Sequence, residues 1–408
     1  MAQRLADPAP STTLEPGEMG LYSRHLLMPD IGMRGQQALK AASVLMVGAG
    51  GLGCPALLYL AAAGVGRIGI IDDDRIELSN LHRQVIFQVA DRGRYKAEVA
   101  KERLQALNPF ISIEAHIGRF DLDNAAALVA DYDIVIDGTD NFTAKYLIND
   151  ACCLGDKPLV YGAIIQFEGQ VAVFNAQAAD GRRSGNYRDL YAQPPEAALA
   201  PNCAEAGVLG VLPGIIGCFQ ANEAIKLITG IGQPLVDRLL MYDALAASTQ
   251  EVGYSATVDN PLRDPLKPFE LRALPMVCSA PSGKGEATVN ATQLLEWLEK
   301  GVPVHLIDVR EADERERLSI GGMHVPLGQL QQLGGQCLEE GRLVLYCQSG
   351  ARSQKGLGML GQGVRRAAVF SLEGGISSLL GSALYPSIMA KLSLCNCRGL
   401  TAGHELSQ

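Results

Sequence analysis

The chain has 408 residues, of which 48% are apolar, and a formal net charge of −9. This length predicts two or three domains, and the acidic balance argues against nucleic acid as the main partner, because phosphate binding needs a basic face. The polar, proline-rich residues 1–17 lack the apolar core of a signal peptide, and no clean apolar stretch reaches the roughly 20 residues of a membrane span. The sequence therefore predicts a soluble, cytoplasmic protein with no nucleic-acid or membrane partner.

Residues 18–249 alternate short β-branched runs with helical patterns, after a leader over residues 1–17 that we expect to be flexible. Alternation of this kind predicts an α/β domain with a mostly parallel sheet and helices on both faces. Residues 177–205 are loop-like, and a loop of that length is usually functional or mobile. The predicted strands are Ser43–Val47, Ile68–Ile71, Asp133–Ile136, Leu159–Tyr161 and Val171–Phe174, and the predicted helices are Cys54–Ala63 and Gly214–Thr229.

The rest of the chain repeats the pattern on a smaller scale. Residues 250–287 carry several prolines and little periodicity, which predicts a linker. A second, smaller α/β domain is predicted over residues 288–392, with a helix at Leu294–Leu298 and strands at His305–Val309 and Leu343–Tyr346. Residues 393–408 are expected to form a tail.

A glycine-rich turn follows the first predicted strand and opens the first helix. Its glycines let the backbone approach phosphate, and the helix N-terminus supplies partial positive charge. Asp72 ends the next strand, nineteen residues after Gly53, where a ribose-binding acid belongs. These features predict a Rossmann-like domain and, taken alone, favour an NAD-dependent dehydrogenase. The glycines are Gly48, Gly50, Gly51 and Gly53.

Charged and amide side chains after the second strand favour a different nucleotide. A dehydrogenase has only a diphosphate to hold, whereas two cations with several acids suit a triphosphate and its metal. Asp140 and Asn141 follow another strand and add a carboxylate at the same edge of the sheet. Taken singly, such cations are usually solvated surface charges, and Asp140 could instead cap a helix that begins at Phe142. The candidates after the second strand are Asp74, Ser79, Asn80, Leu81, His82, Arg83, Gln84 and Lys96.

Residues 21–246 resemble the adenylating enzymes of the MoeB/ThiF family, which are relatives of the ubiquitin-activating enzymes. The resemblance implies ATP-dependent adenylation of the C-terminal glycine of a ubiquitin-like sulfur-carrier protein of the MoaD/ThiS kind, ending in Gly-Gly. It rests on ordered motifs: Tyr22-Ser-Arg-His-Leu-Leu-Met-Pro, the glycine turn, Ser79-Asn-Leu-His-Arg-Gln, Thr139-Asp-Asn, and Asn202-Cys-Ala-Glu-Ala-Gly-Val-Leu-Gly.

The resemblance also implies roles for individual residues. Asp72 would bind the ribose of ATP, and Asp140 would position magnesium. Arg24 would reach the triphosphate held by a neighbouring subunit, which implies a homodimer. The phosphates would be held by Asn80, Arg83 and Lys96.

In the second domain, Cys347 directly follows a predicted strand and precedes a tight loop and a helix. Backbone N–H groups of such a loop point toward the sulfur, and with the helix dipole they favour the thiolate. Four residues separate Cys347 from Arg352; cysteine phosphatases use one more, so the tighter loop suits a single sulfur atom. The predicted persulfide loop is Cys347, Gln348, Ser349, Gly350, Ala351 and Arg352.

Residues 288–388 resemble a rhodanese domain. The resemblance rests on the Cys347 loop, on Leu306-Ile-Asp-Val-Arg-Glu and on Leu372-Glu-Gly-Gly-Ile. It implies a Cys347 persulfide that supplies sulfur, loaded by a cysteine desulfurase or another sulfur donor. The alternative is a degenerate rhodanese domain that binds without reacting.

Cys203 follows the long loop, and the family resemblance implies that it takes part in a covalent or acyl-disulfide intermediate. It would attack the acyl disulfide formed at Cys347 and release a thiocarboxylate. The alternative is a buried structural cysteine.

One family feature is missing from the sequence. Relatives usually carry a structural zinc bound by two CxxC pairs, and the first pair falls where this chain reads Asn186-Tyr-Arg-Asp. No cysteine lies over Pro261–Pro275, where the second pair belongs. Zinc needs four good ligands, so we expect none here.

The leading hypothesis is therefore an adenylyltransferase and sulfurtransferase that uses ATP and magnesium. Its pathway could be molybdopterin, thiamin, cysteine, tRNA thiolation or a sulfur-containing secondary metabolite. The alternatives are an NAD-dependent oxidoreductase fused to a redox domain and a non-catalytic scaffold that docks the carrier.

Overall fold

The computed structural model describes residues 12–177, 181–193, 207–257, 260–263, 271, 288–333, 341–360 and 367–395. The chain divides into two compact units, Met1–Val277 and Cys278–Gln408. Among the described residues, no helix is both long enough and apolar enough to cross a membrane.

The first unit alternates helices and strands as the sequence predicts. Its helices are α1 (Pro16–Leu21), α2 (Ser23–Leu26), α3 (Gly32–Ala41), α4 (Gly53–Ala63), α5 (Lys96–Leu107), α6 (Ala125–Asp131), α7 (Phe142–Leu154), α8 (Tyr187–Leu190) and α9 (Leu212–Thr229). Its strands are β1 (Ser43–Val47), β2 (Arg67–Ile71), β3 (Ser112–His116), β4 (Ile134–Asp137), β5 (Leu159–Ile165), β6 (Glu168–Phe174), β7 (Arg238–Asp243) and β8 (Ser248–Gly253).

These strands form one sheet in the order β3-β2-β1-β4-β5-β6-β7-β8. The first five positions pair in parallel, and β5 to β8 continue as an antiparallel meander. The predicted α/β class with a Rossmann-like, mostly parallel sheet is confirmed. The chain crosses from β3 at one edge to β4 on the other side of β1, so the strand order reverses between β1 and β4.

Strand β1 shows why the sheet is covered on both faces. Its residues alternate between two apolar cores: Val44 and Met46 face one, while Leu45 and Val47 face the other. The first core includes buried residues of α3, α4, α5 and α9, and the second includes residues of α6 and α7. Because each buried aliphatic side chain contributes about 1.5–3 kcal/mol, this strand is fixed in register from both sides.

The predicted first domain ends at residue 249. The first compact unit of the structure extends further, to Val277. Residues 250–253 lie in β8, which pairs with β7 over its whole length. The next residues hydrogen-bond with the segment around α8. The prolines that suggest a linker begin at Pro261, after this ordered stretch.

A buried carboxylate makes that connection. The side chain of Asp189 has no exposed surface. One of its oxygens accepts hydrogen bonds from the Thr257 backbone N–H at 2.9 Å and from the Asn260 amide at 2.8 Å. The other accepts from the Asn186 N–H at 2.8 Å and from Arg263 at 3.2 Å. We call these five residues the Asp189 network.

A second buried ion pair ties α8 to α7. Arg188 donates two hydrogen bonds, each 2.7 Å long, to the two carboxylate oxygens of Asp150. Both side chains are almost completely buried. Paired, hydrogen-bonded charges of this kind hold one geometry, because separating them leaves an uncompensated buried charge.

The second unit is a smaller sheet in the order β11-β10-β12-β13-β9, with every pairing parallel. Its strands are β9 (Thr288–Val289), β10 (Val304–Asp308), β11 (Met323–His324), β12 (Gly341–Tyr346) and β13 (Ala367–Leu372). Its helices are α10 (Ala291–Glu299), α11 (Ala312–Arg317), α12 (Ala351–Leu360), α13 (Gly375–Leu380) and α14 (Tyr385–Cys395).

This sheet also separates two cores. Val344 and Tyr346 of β12 face the core that holds α10, α13 and α14. Leu343 and Leu345 face the opposite core, which also contains Cys347. The predicted strand and the cysteine that follows it are therefore confirmed, and Cys347 sits at the carboxyl end of β12.

We predict that Asp189→Asn destabilises the first unit by about 2–3 kcal/mol, because an amide cannot accept all the bonds of a buried carboxylate. Those hydrogen bonds outweigh burial, which alone would raise the pKa of Asp189, and the net pKa is lowered. A carboxyl group with a lowered folded-state pKa stabilises the fold above its ordinary pKa, so this contribution is lost as the pH falls through the lowered value. Denaturant unfolding at neutral pH measures the change.

Asp123→Asn is the matched control, because Asp123 is exposed. Its expected effect is within about 0.5 kcal/mol. Equal effects of the two substitutions would contradict the importance of the Asp189 network.

Candidate functional site

The candidate site of the first unit lies at the carboxyl ends of β1 and β4. Two turns meet there: residues 48–53 after β1 and residues 138–141 after β4. A Cβ atom added to Gly138 would lie 2.5 Å from the Gly48 carbonyl oxygen, and one added to Gly53 would lie 2.1 Å from it. Neither position has room for a side chain, and Gly48 has a φ of +93°. The backbone surface of the turns is therefore bare, as phosphate binding requires.

Asp72 connects the glycine turn to the end of β2. One carboxylate oxygen accepts the Ala49 N–H at 2.7 Å, and the other accepts the Asp74 N–H at 2.8 Å. Burial raises the pKa of Asp72, and the nearby Lys96 acts in the opposite direction. The structure thus places the predicted ribose-binding acid beside the predicted phosphate loop.

Arg83 and Gln84 also lie against the glycine turn. A Cβ atom added to Gly51 would lie 3.5 Å from Cδ of Arg83, and one added to Gly50 would lie 3.7 Å from the Gln84 amide nitrogen. Gln84 is buried, and its amide oxygen has no hydrogen-bond partner among the described residues. A cation and an amide are therefore available where phosphate would lie.

Lys96 is buried, and its ammonium donates to Asp74 at 2.6 Å. The Asp74 side chain is 67% exposed, so the pair opens toward solvent at one end. A buried ammonium with an exposed partner can exchange that partner for a phosphate oxygen at modest cost.

The other candidates of this stretch lie in the short helical turn at residues 78–80 or directly after it. The Asn80 side chain accepts the Glu77 N–H at 3.0 Å, and the Ser79 hydroxyl donates to Glu77 at 3.3 Å. His82 lies 2.8 Å from Arg83, and burial together with that cation lowers its pKa. Leu81 packs against the first core.

Asp140 and Asn141 differ in what their side chains do. Asn141 caps α7 by accepting the Ala144 N–H at 2.9 Å. The capping role considered for Asp140 therefore belongs to Asn141. Asp140 is exposed, and no hydrogen bond or ion pair is found for it among the described residues. It is a carboxylate at the tip of the second turn, and carboxylate oxygens are the ligands that magnesium prefers.

An ion pair that we did not predict from the sequence lies beneath that turn. Lys145 of α7 donates to Asp137 at 2.8 Å and to the Gly162 carbonyl at 2.6 Å. Asp137 also accepts the Thr139 N–H at 2.9 Å and its hydroxyl at 2.7 Å. Both charged side chains are buried. The sequence offers one signal for this pair: a carboxylate ends a strand, and a lysine follows eight residues later in the next helix.

A cavity of about 230 Å³ opens beside Asp140. Its walls are largely aromatic and aliphatic, with Asp140 and Lys145 among the few charged groups. A mostly apolar lining with a few polar groups is typical of a ligand-binding pocket. The lining residues are Thr139, Asp140, Phe142, Lys145, Tyr161, Ala163, Ile164, Ile165, Glu168, Gln170, Tyr187 and Tyr191.

Two further candidates are Arg24 and Cys203. Arg24 is exposed on α2, and within the part of the chain that the structure describes no hydrogen bond links it to the glycine turn. Cys203 lies outside the described residues. Cys54 is buried, and burial raises the pKa of its thiol to about 12.

In the second unit, the Cys347 loop has the predicted geometry. The Gly350 N–H points at the Cys347 sulfur, 3.2 Å away, and Gly350 has a φ of +92°. The Ser353 hydroxyl lies 3.7 Å from the same sulfur, donates to the Gly350 carbonyl at 3.0 Å and accepts from the Ser371 hydroxyl at 2.8 Å. Cys347 itself is buried. The loop therefore cradles one sulfur atom between a backbone donor and a hydroxyl.

The start of α13 closes the loop from the other side. The Ile376 N–H donates to the Cys347 carbonyl at 2.9 Å, and the Ser377 N–H donates to the Gln348 carbonyl at 3.1 Å. A Cβ atom at Gly375 would lie 2.4 Å from the Cys347 carbonyl oxygen. This explains the Gly-Gly pair of the predicted rhodanese motif.

Two ion pairs flank the loop. Arg352 donates two hydrogen bonds of 2.6 Å to the carboxylate oxygens of Glu314. Arg310 donates to Asp308 at 2.9 and 2.7 Å, and both of these side chains are fully buried. The Arg352 guanidinium holds the pKa of Glu314 below its usual range despite partial burial.

Comparison with known proteins agrees with this geometry. Residues 22–260 match the model of the ThiF family, and residues 290–381 match that of the rhodanese-like domain. The first match alone covers more than half of the chain.

Several curated proteins are similar over both units. A Mycobacterium tuberculosis protein named probable adenylyltransferase/sulfurtransferase MoeZ is 43% identical over 370 residues, which are 90% of this chain and 94% of the relative. The maize adenylyltransferase and sulfurtransferase MOCS3-1 is 37% identical over 386 residues, 86% of this chain and 79% of the relative. A Thermus thermophilus sulfur carrier protein adenylyltransferase is 52% identical over 235 residues, 58% of this chain and 87% of the relative.

Among solved structures, Escherichia coli MccB in complex with MccA-N7isoASN has a TM-score of 0.51 at 21% identity, covering 61% of this chain and 74% of that one. This likeness supports the fold only. The glycine turn, the Asp140 turn, the Cys347 loop and the matches across both units lead to one conclusion: the chain belongs to the ThiF family of adenylyltransferases and carries a C-terminal rhodanese-like sulfurtransferase domain.

Proposed function

We propose that this enzyme adenylates the C-terminal glycine of a ubiquitin-like sulfur-carrier protein and then converts it to a thiocarboxylate with sulfur from a Cys347 persulfide. The observation that carries the proposal is the presence in one chain of two sites: a bare glycine turn beside Asp140, which has no partner among the described residues, and a loop that holds the Cys347 sulfur. The name of the Thermus relative, a sulfur carrier protein adenylyltransferase, supports the class of substrate.

In the first half-reaction, the carrier's terminal carboxylate attacks the α-phosphorus of ATP. A carboxylate–phosphorus bond forms, the bond to the bridging oxygen breaks, and pyrophosphate leaves. Asp72 would hold the ribose, and Asn80, Arg83 and Lys96 would hold the phosphates. Catalysis of this kind comes mainly from positioning and from stabilising negative charge.

Magnesium fits this site through Asp140, an exposed oxygen ligand with no partner among the described residues. When bound, the metal would offset phosphate charge. Asp137 and Lys145 hold the turn that presents Asp140, through the Thr139 bonds on one side and α7 on the other.

In the second half-reaction, the terminal sulfur of the Cys347 persulfide attacks the acyl carbon of the adenylate, and AMP leaves. The product is an acyl disulfide between the carrier and Cys347. Attack of Cys203 on the Cys347 sulfur would release the carrier thiocarboxylate and leave a Cys203–Cys347 disulfide, which a reductant must reopen before the next turnover.

We infer that zinc is absent. Asn186 and Asp189, at the position of the first CxxC pair of relatives, already accept hydrogen bonds from Asn260, Thr257 and Arg263. Amide and guanidinium donors aimed at these oxygens do not fit a cation, and Tyr187 and Arg188 between them are not metal ligands. The Asp189 network would take the place of the metal.

The remaining inferences concern partners and location. A homodimer would bring Arg24 of one subunit to the ATP of the other. A cysteine desulfurase or another sulfur donor would load Cys347. The reaction belongs in the cytoplasm, where ATP is supplied and thiols stay reduced. The pathway could be any of the five that the sequence leaves open, and the NAD-dependent and scaffold alternatives are not favoured by the relatives.

Asp140→Ala is expected to lower carrier-dependent ATP–pyrophosphate exchange at least about 100-fold, because it removes a charge-positioning group from the transition state. Sulfur transfer from Cys347 to cyanide should be unchanged.

Cys347→Ala should show the reverse, with exchange intact and no carrier thiocarboxylate detected by mass spectrometry. Exchange at the normal rate in Asp140→Ala would refute the assigned role.

Lys145→Met is expected to destabilise the first unit by about 3–5 kcal/mol, because it leaves Asp137 as an unpaired buried charge. Lys145→Arg keeps the charge and should retain most stability and most exchange activity. The double variant Asp137→Asn with Lys145→Met should recover stability. If exchange stays low in that folded double variant, the ion pair positions Asp140; full recovery of exchange would show that it only stabilises the fold.

Elemental analysis of purified protein tests the zinc inference. We expect well under one zinc per chain and no change in melting temperature after treatment with a chelator. A stoichiometric zinc, or melting that falls on chelation, would overturn it, since a structural zinc site contributes on the order of 10 kcal/mol.

A further inference from the structure

The arginine side chains around the Cys347 loop lie close to carboxylates that offset their positive charge. Both terminal nitrogens of Arg352, the last residue of the loop, are bound to the two oxygens of Glu314 on α11. Arg310, whose guanidinium lies 3.4 Å from the Gln348 amide oxygen, is paired with Asp308. Arg315 donates to the Gly322 carbonyl and lies 3.7 Å from Asp308. In the described part of the second unit, each arginine beside the loop thus has a carboxylate neighbour.

The donors that the loop itself offers are neutral. Among the described residues, those that reach the Cys347 sulfur are the Gly350 N–H at 3.2 Å and the Ser353 hydroxyl at 3.7 Å, which also donates to the Gly350 carbonyl at 3.0 Å. The Gln348 amide nitrogen is already bound to the Ser377 hydroxyl at 2.8 Å. The loop can therefore hold a sulfur atom, but its fixed charges do not favour a small dianion.

Two classes of sulfur donor differ in what they need from such a loop. Thiosulfate is a dianion whose sulfonate group is held most strongly by charge-assisted donors, among which a guanidinium is best suited. A persulfide on a cysteine of another protein needs no such group, because contacts outside the loop supply its binding energy. Only its outer sulfur has to reach Cys347.

We propose that Glu314, by neutralising Arg352, makes thiosulfate a poor donor and reserves Cys347 for a persulfide carried by a thiol partner. The inference deepens the proposed function and rests on it for the role of Cys347. In the loading step, the Cys347 thiolate attacks the outer sulfur of the donor persulfide. A new S–S bond forms at Cys347, the donor's S–S bond breaks, and the donor leaves as a thiolate, so that no external oxidant or reductant is consumed.

The test compares sodium thiosulfate with glutathione persulfide as donors to the full chain, with cyanide as acceptor and thiocyanate as the measured product. We expect kcat/KM for glutathione persulfide to exceed that for thiosulfate at least about 100-fold. Glu314→Gln should raise kcat/KM for thiosulfate about tenfold or more, through a lower KM, because it removes the negative charge that offsets a partly buried guanidinium. Its kcat/KM for glutathione persulfide should stay within about threefold of the unmodified enzyme.

Glu316→Gln is the matched control. It removes the same charge from the same helix at an exposed position. The kcat/KM for thiosulfate and that for glutathione persulfide should both stay unchanged. A second variant guards against misfolding of Glu314→Gln: Ala351→Lys adds a cation at an exposed loop position and leaves the Arg352–Glu314 pair intact. It should also improve thiosulfate use, whereas Ala351→Gln should not.

The proposal is overturned if the unmodified enzyme uses both donors equally well, or if neither Glu314→Gln nor Ala351→Lys lowers the KM for thiosulfate. A fall in thiosulfate KM with Glu316→Gln would also overturn it, since the effect would then be general. Carrier-dependent pyrophosphate exchange is measured separately in the same preparations. Absence of exchange would refute the proposed adenylation, while the donor preference could still be measured by thiocyanate formation.

Discussion

The first unit depends on a backbone contact between two glycines. Gly48 after β1 and Gly138 after β4 approach so closely that a Cβ atom on Gly138 would lie 2.5 Å from the Gly48 carbonyl oxygen. Parallel pairing of β1 and β4 brings the two turns to the same edge of the sheet. The glycine turn and the Asp140 turn can form one site only because neither carries a side chain at the contact. A larger residue at either position would force the strand ends apart and separate the phosphate surface from Asp140.

Much of this arrangement follows from local sequence. The buried β-branched runs, the glycine spacing and the acid at the end of β2 are periodic or adjacent features, and the structure has each where the sequence predicts it. The Asp137–Lys145 pair and the Asp189 network are different, because their partners lie on separate elements. A carboxylate in sequence does not reveal whether it will be exposed, like Asp140, or buried against a lysine, like Asp137. Tertiary contacts decide this, as they decide that Asn141 caps α7.

The same reason explains the predicted boundary at residue 249. Composition marks where prolines begin and periodicity ends, but it does not show that Thr257, Asn260 and Arg263 bind Asp189. The network anchors the segment that contributes Tyr187 and Tyr191 to the cavity beside Asp140. A set of hydrogen bonds centred on one carboxylate can thus fix a cavity wall in a chain whose sequence contains no CxxC pair. Such a set differs from a metal site in depending on protonation and not on metal supply.

The two units differ in how far the charged side chains at their sites are paired, and this difference suits the chemistry of each site. Among the described residues of the first unit, Asp140 has no hydrogen-bond or ion-pair partner and Lys96 is paired with the exposed Asp74, so both can respond to the phosphates of ATP. In the second unit, Arg352 and Arg310 are held by carboxylates on neighbouring elements, and the sulfur faces neutral donors. A site for a highly charged substrate needs uncompensated groups, because their field supplies the binding energy. A site that receives one sulfur atom from a thiol partner needs shape and a few N–H groups, and free cations beside it would attract competing anions.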